Sequence, residues 1–146
     1  MEGALDSTTA EYLVRVFVRD GGTALLRVSG ACMHPRVAEG ERVRLGSPAT
    51  HPPLFGDVVL ARVPEGLRLH RLVWPLLGLR TRRVRTKADR ASCLDAAVPV
   101  SAILATVLDV ERGAVARPTR DVGRALRSLA SALVARLWLA LGLRPD

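Results

Sequence analysis

Turn-forming residues divide most of this chain into short β-prone runs, and no other feature limits its fold as strongly. The clearest turns are Asp20-Gly21-Gly22 and Pro64-Glu65-Gly66, and each is predicted to join the two arms of a hairpin. Short strands with turns about every eight to twelve residues are typical of an all-β domain. The sequence therefore predicts a mainly β fold. The predicted strands are 12–19, 23–28, 42–45, 58–63, 67–73, 82–86 and 102–110.

The pattern becomes helical after Pro118. Thr119 is a suitable N-cap, Asp121 suits the positive end of a helix, and Gly142 suits the position just after its last turn. We expect one amphipathic α-helix at this end of the chain. The predicted division is a β domain over 1–112, a linker over 113–118 and a helix over 119–146.

This C-terminal helix would be long enough to cross a bilayer, but it carries charges. Arg127 and Arg136 interrupt its apolar run, whereas a transmembrane helix needs about 20 apolar residues with few charges. Two alternatives stay open for it. It packs on the protein or on a partner, or it lies at a membrane surface.

The chain is strongly basic, and this favours an anionic partner. Its 22 basic residues exceed its 14 acidic residues and give a formal charge of +8. Such a charge attracts nucleic acid, anionic lipid or an acidic peptide, although an Arg-rich surface can also be merely solvated. The densest basic cluster, predicted to lie on an exposed hairpin, is Arg80, Arg82, Arg83, Arg85, Lys87 and Arg90. It has no interleaved aromatic residues, so nucleic acid is not an expected partner.

Composition and cysteine content suggest one domain in a reducing compartment. The chain has 146 residues, 49% of them hydrophobic but only 3% aromatic, so its core must be aliphatic. Cys32 and Cys93 are too few for a disulfide framework. The N-terminus has neither a basic nor an apolar signal region, and we expect a cytoplasmic protein without a membrane anchor.

The residues with the most chemical potential begin with the thiol of Cys32. A thiol reacts as its thiolate, and an unperturbed cysteine is only a few per cent ionised at neutral pH. His70 could accept the Cys32 proton and later protonate the leaving amine of a cleaved peptide. Either Asp89 or Asp95 could orient the imidazole and stabilise its cation.

Several sequence blocks surround these residues in a recognisable order. They are Val28-Ser29-Gly30-Ala31-Cys32-Met33-His34-Pro35, Gly56-Asp57-Val58-Val59, Leu69-His70-Arg71-Leu72-Val73 and Thr86-Lys87-Ala88-Asp89, followed by Asp95. Over residues 28–112 they resemble the signal peptidase I and LexA-like superfamily of peptidases. The pattern of that superfamily runs Gly-x-Ser-Met-x-Pro, Gly-Asp-hydrophobic, Lys or His followed by Arg, and Thr-Lys-Gly-Asp.

The resemblance implies a β-fold of short strands and assigns roles to individual residues. Cys32 falls on the family's serine, and His70 falls where archaeal and endoplasmic-reticulum signal peptidases have histidine. In that branch the catalytic aspartate follows the Thr-Lys-Gly-Asp block, which favours Asp95 slightly over Asp89. The backbone N–H of Cys32 would donate to the oxyanion. Expected to contact the substrate strand are Gly30, Ala31, Met33 and Pro35.

The chain departs from the family pattern at several positions. Cysteine replaces the serine nucleophile, Glu41 stands where Asp is usual, and Ala88 replaces a glycine. A thiol is readily activated by histidine, so the first change is compatible with activity or with its loss. Without an anchor, removal of secretory signals at a membrane is not the expected task.

These features predict a soluble processing peptidase with a cysteine nucleophile, acting on a peptide or protein partner. One alternative is an inactive pseudoenzyme of the same fold that binds peptides or serves as a scaffold. A self-cleaving LexA-like regulator is less favoured, because no helix-turn-helix segment fits before residue 28. No cofactor is expected, and no metal either, since the histidines and cysteines lack paired short spacing.

The remaining candidates have simpler interpretations. His34 and His51 lie in polar, Pro-containing segments and are expected at the surface. Cys93 lies between the two candidate aspartates, and this position suggests a reversible disulfide with Cys32 as a hypothesis.

Overall fold

The computed structural model describes residues 6–75, 82–112 and 115–141. Within these ranges the protein is mainly β, with one helix before the strands and one after them. The helices are α1 (Ser7–Val18) and α2 (Val122–Ala140), and short 3₁₀ turns occupy Arg19–Gly21 and Val100–Ala102. The strands are β1 (Thr23–Arg27), β2 (Arg42–Gly46), β3 (Val58–Val63), β4 (Gly66–Trp74), β5 (Arg83–Lys87), β6 (Val98–Pro99), β7 (Ile103–Arg112) and β8 (Val115–Pro118).

The strands form an antiparallel sheet in the order β1-β2-β7-β3-β4-β5-β6, with β8 paired to β7. The long strand β7 pairs with β2, β3 and β8, and so joins the two parts of the sheet. The predictions of a mainly β fold and of a C-terminal helix are confirmed.

The β3–β4 hairpin positions His70. Its strands are joined at the predicted Pro64-Glu65 turn, and Val59 is paired with His70 across the hairpin. Gly66 has a φ of +125°, in the region that favours glycine. Because pairing fixes the register of every side chain along β4, His70 and Arg71 point to opposite faces of the strand.

The predicted strand at 12–19 is wrong, because these residues belong to α1. Asp6 caps this helix by accepting from Thr9 N at 2.8 Å. Val14 and Val18 are buried at helical spacing, whereas Tyr12 and Val16, which a strand would bury with them, are exposed. Packing of this one face against the sheet outweighs the β-propensity of the segment.

The turn at Asp20-Gly21-Gly22 exists, but it connects a helix to a strand. Asp20 and Gly21 have positive φ values of 58° and 82°. A Cβ at Gly22 would lie 2.2 Å from the carbonyl oxygen of Phe17, so only glycine fits this close approach.

The start of the C-terminal helix also differs from the prediction. Residues 115–118, assigned to a linker, form β8. Thr119 is not the N-cap, since it is buried and its hydroxyl donates to Val107 O at 3.1 Å. Asp121 takes that role instead, and its Oδ1 accepts from Arg124 N at 2.7 Å. Gly142 lies outside the described residues.

The core is aliphatic, as predicted. The largest buried cluster lies between α1 and the sheet and includes Met33, Leu45 and Leu60. Cys32 packs against this cluster from its edge. No helix in the described ranges combines the length and the apolar character needed to cross a membrane.

The charged side chain of Arg71 is fully buried in this interior, and so is that of its partner, Asp89. It forms a bidentate ion pair with Asp89, from Nε to Oδ1 at 2.8 Å and from Nη2 to Oδ2 at 2.7 Å. Its Nη1 donates to the carbonyl oxygens of Gly56 at 2.7 Å and Thr119 at 2.9 Å. Arg71 therefore joins β4 to the turn before β3, to the segment after β5 and to the start of α2.

We expect Arg71→Leu to lower the free energy of unfolding by about 3–5 kcal/mol, because it leaves the Asp89 carboxylate buried without its partner. Urea unfolding followed by circular dichroism measures this loss. The control is Arg15→Ala, which removes an exposed ion pair with Glu11 and should cost at most about 1 kcal/mol. Equal losses in the two variants would contradict the structural role of Arg71.

Candidate active site

Cys32 lies in the loop between β1 and β2. Hydrogen bonds from Val28 N to Glu41 O and from Gly40 N to Val28 O, both 2.8 Å, close this loop at its base. Gly30, with a φ of +87°, turns the chain into the segment that carries Cys32. The thiol is partly buried, and its Sγ lies 3.7 Å from Leu69 O on β4. The loop therefore holds the thiol next to the strand that carries His70.

The backbone carbonyl group and the backbone N–H of Cys32 differ in their hydrogen bonding. Its carbonyl oxygen accepts from Arg90 N at 3.1 Å, which ties the Cys32 loop to the segment after β5. Its own N–H has no acceptor within the part of the chain that the structure describes. This N–H is thus free to donate to an oxygen of a bound group.

His70 lies between Cys32 and Asp95. Its side chain is largely buried, and Nδ1 is 2.5 Å from Asp95 Oδ2. Burial would lower the pKa of His70, but hydrogen bonds to Asp95 and to Cys32, with the charges of both groups, outweigh it and raise that pKa above its ordinary value. The structure thus brings a thiol, an imidazole and a carboxylate into one region, with the carboxylate bound to the imidazole.

Asp95 is held in place by three further contacts, made with Thr86 and Arg68. Thr86 Oγ1 donates to its Oδ2 at 2.7 Å, its backbone N–H donates to Thr86 O at 2.9 Å, and Arg68 Nη1 lies 3.6 Å from Oδ1. Burial would raise the pKa of Asp95, but the hydrogen bonds from His70 and Thr86 and the nearby positive charges lower it overall. Asp95 therefore stays ionised and can stabilise an imidazolium.

The two pKa shifts define the pH range in which this pair supports the fold. The raised pKa of His70 adds stability below its ordinary value of 6.5, and this is lost as pH rises through the raised pKa. The lowered pKa of Asp95 adds stability above its ordinary value of 3.8, which is lost as pH falls through the lowered pKa. The pair is most stabilising at mildly acidic pH, between these two ordinary values.

The structure separates the two candidate aspartates. Asp95 contacts His70, whereas both oxygens of Asp89 are bound by Arg71 in a pair whose side chains are fully buried. Asp89 is therefore not available to orient the imidazole. Asp89 therefore looks like a site residue in the sequence, but in the structure it binds Arg71 and does not contact His70.

The predicted substrate-contacting residues are divided between surface and core. Gly30, Ala31 and Pro35 are exposed, and a Cβ at Gly30 would meet no atom within 4 Å. Met33 is wrong as a substrate contact, because its side chain is fully buried in the main core cluster. The Met33 side chain packs into the core and so anchors the Cys32 loop. It is therefore not available to a ligand.

Sequence reasoning missed the roles of three residues around the site. The sequence does contain a signal for Arg71. It is a charged residue within an apolar strand, and a buried charge is stable only when it is paired. Thr86 and Arg68 carry no such signal, because polar residues on strands are usually solvated. Their contacts with Asp95 depend on the pairing of β4 with β5 and on the path of residues 88–95.

Other singled-out residues lie away from the site. His34 and His51 are exposed, as predicted. Cys93 is exposed, and both cysteines are free thiols. The predicted exposed basic hairpin is wrong in part, because Lys87 at the end of β5 is buried. Arg80 lies outside the described residues.

Comparison with known proteins gives no further assignment: no family model, no curated protein and no solved structure matches this chain.

Proposed function

We propose that the protein is a processing peptidase of the signal peptidase and LexA-like type, which cleaves a peptide or protein partner through Cys32, His70 and Asp95. The observation that carries this proposal is the position of His70 on β4, with its Nδ1 2.5 Å from Asp95 Oδ2 and with the Cys32 Sγ 3.7 Å from the carbonyl oxygen of the preceding residue, Leu69. Both neighbours favour the imidazolium, which is the partner that a reactive thiolate needs.

The proposed reaction proceeds in two stages. The Cys32 sulfur attacks the scissile carbonyl carbon, and His70, as imidazolium, gives its proton to the departing amine, which leaves a thioester on Cys32. Water then attacks the thioester while His70 accepts its proton, so the carboxylic acid product is released and the Cys32 thiolate is left beside the His70 imidazolium, as at the start. Asp95 stabilises each imidazolium state. The N–H of Cys32, which has no acceptor within the described residues, would donate to the oxyanion.

The exposed backbone around Gly30 and Ala31 suits a peptide substrate. These residues precede Cys32 and are open to solvent, so an extended peptide can approach the thiol beside them. The alternative is an inactive peptide-binding or scaffolding module of the same fold, in which the thiol is inert. The two proposals differ in whether His70 alters the reactivity of Cys32.

For the peptidase, we expect His70→Ala to slow alkylation of Cys32 by iodoacetamide at pH 7 by roughly tenfold, because a charge-assisted hydrogen bond is worth about 1.5 kcal/mol or more. The experiment uses a Cys93→Ser background, so that only Cys32 reacts. The control is His51→Ala, which removes an exposed histidine outside the site.

Equal rates in the His70→Ala and His51→Ala variants would favour the inactive module. If the rates differ, incubation with a peptide pool and detection of products by mass spectrometry tests hydrolysis itself. Cleavage must disappear in Cys32→Ala.

A second experiment tests the choice of aspartate. We expect Asp95→Asn to lower the pKa of His70, since it removes the negative charge that favours the imidazolium. An NMR titration of the histidine ring protons measures this shift, with His34 and His51 as internal references. Asp89→Asn should destabilise the fold by breaking its pair with Arg71, yet change the pKa of His70 less. A larger change in Asp89→Asn would contradict the assignment.

We further propose that the protein is cytoplasmic and attaches peripherally to anionic membranes through α2. One face of this helix is buried through Ala125 and Ala132, while another exposes a stripe of apolar side chains flanked by exposed Arg127 and Arg136. The stripe, exposed by 47% to 62%, consists of Val122, Leu126, Leu133, Leu137 and Leu141. Apolar residues with flanking arginines match the boundary between acyl chains and anionic headgroups.

The full-length protein should therefore sediment with vesicles containing phosphatidylglycerol and not with pure phosphatidylcholine vesicles. The double change Leu133→Glu and Leu137→Glu should reduce binding more than tenfold, because each buried leucine contributes about 1.5 kcal/mol or more. The control is Leu25→Glu, at a leucine of similar exposure on β1. Equal binding by the double variant and the control would contradict attachment through α2.

A further inference from the structure

A cationic pocket lies between α2 and the segment that follows β5. Its volume is about 430 Å³, and its lining includes Lys87, Asp89, Arg90, Arg124 and Arg127. The one carboxylate among these residues, that of Asp89, has both oxygens bound by the buried Arg71. Four positive side chains therefore line this space with one carboxylate, whose hydrogen bonds go to Arg71. We refer to this space as the cationic pocket.

Two of these cations are largely buried, and within the described residues neither has a side-chain hydrogen bond to a carboxylate. Lys87 is only 4% exposed, and within the described residues its side chain makes no hydrogen bond or ion pair, so only nearby negative charges, chiefly that of Asp89, offset the burial that lowers its pKa. The Nε of Arg124 is buried without a hydrogen-bond partner, and its nearest carboxylate oxygens are 3.7 Å away on Asp121 and 3.8 Å away on Asp89. Burying an unpaired charge is costly unless a counter-ion joins it. A bound anion would therefore give both side chains a hydrogen-bonded partner.

The pocket also adjoins the candidate active site. Arg90, which lines it, donates its backbone N–H to the carbonyl oxygen of Cys32 at 3.1 Å. The same segment continues to Asp95, the partner of His70. A group bound in the cationic pocket would therefore contact the segment that supports both Cys32 and Asp95.

We infer that the cationic pocket binds a carboxylate side chain of the peptide substrate, and so selects peptides with an acidic residue near the cleaved bond. This inference rests on the proposed peptidase function. An acidic peptide fits better than nucleic acid, since none of the residues lining the pocket is aromatic and able to stack on a base. The arginines can bind a carboxylate through paired hydrogen bonds, and the ammonium group of Lys87 adds a further positive charge.

The test measures binding without cleavage. In full-length Cys32→Ala protein at physiological salt, fluorescence anisotropy compares labelled hexaglutamate with labelled hexaglutamine. Hexaglutamate should bind more tightly, and Arg90→Gln and Arg127→Gln should each weaken its binding by roughly tenfold, as expected for loss of a charge-assisted hydrogen bond. The control is Arg62→Gln, which removes an equal charge from an exposed position on β3.

Equal binding of the two peptides, or equal weakening by Arg62→Gln, would overturn the inference, because attraction would then come from net charge alone. Tighter binding of a labelled hexathymidylate with the same loss in both pocket variants would also overturn it, in favour of a nucleic-acid site. Alkylation of Cys32 reports on the Cys-His pair independently of this experiment. A peptidase without acidic selectivity is thus distinguished from an inactive protein with an acidic-peptide site.

Discussion

The buried ion pair between Arg71 and Asp89 holds together the parts of the protein that form the site. Arg71 is fully buried on β4, and its guanidinium binds Asp89 as well as the carbonyl oxygens of Gly56 and Thr119. A guanidinium suits this place because its fixed donors can satisfy a carboxylate and two carbonyls at once. Exchange for a lysine would leave several of these acceptors unsatisfied. The pair thereby fixes the path of the chain after β5.

That path determines the electrostatics of the candidate site. The segment after β5 begins at Asp89, gives its Arg90 N–H to the carbonyl of Cys32, and returns to place Asp95 against His70. Two adjacent residues on β4 thus have different partners, because Arg71 points towards α2 and His70 points towards Cys32. The same segment also lines the cationic pocket. On the proposed function, the segment after β5 would both select the substrate and position the nucleophile.

Much of the fold was predictable from local signals, and the exceptions have a physical cause. Pro64-Glu65-Gly66 predicted the β3–β4 hairpin correctly, because turn residues act on the backbone locally. The segment at 12–19 was predicted as a strand from its β-branched residues, yet burial of Val14 and Val18 on the sheet favours a helix. Residues 115–118 became β8 because β7 extends far enough to pair with them. Such pairing depends on distant residues and has no local signature.

The sequence by itself determined the mainly β character, the aliphatic core and the residues capable of nucleophilic chemistry, since these follow from composition, turn chemistry and side-chain type. It named Cys32 and His70 but left Asp89 and Asp95 as alternatives. Only the tertiary structure shows which of the two contacts the imidazole, because Asp89 is bound by Arg71 and Asp95 reaches His70. The tertiary structure also shows that Met33 lies in the core and not on the surface expected to contact the substrate. Which carboxylate meets which cation depends on contacts between segments far apart in the chain, and these exist only after the strands have paired.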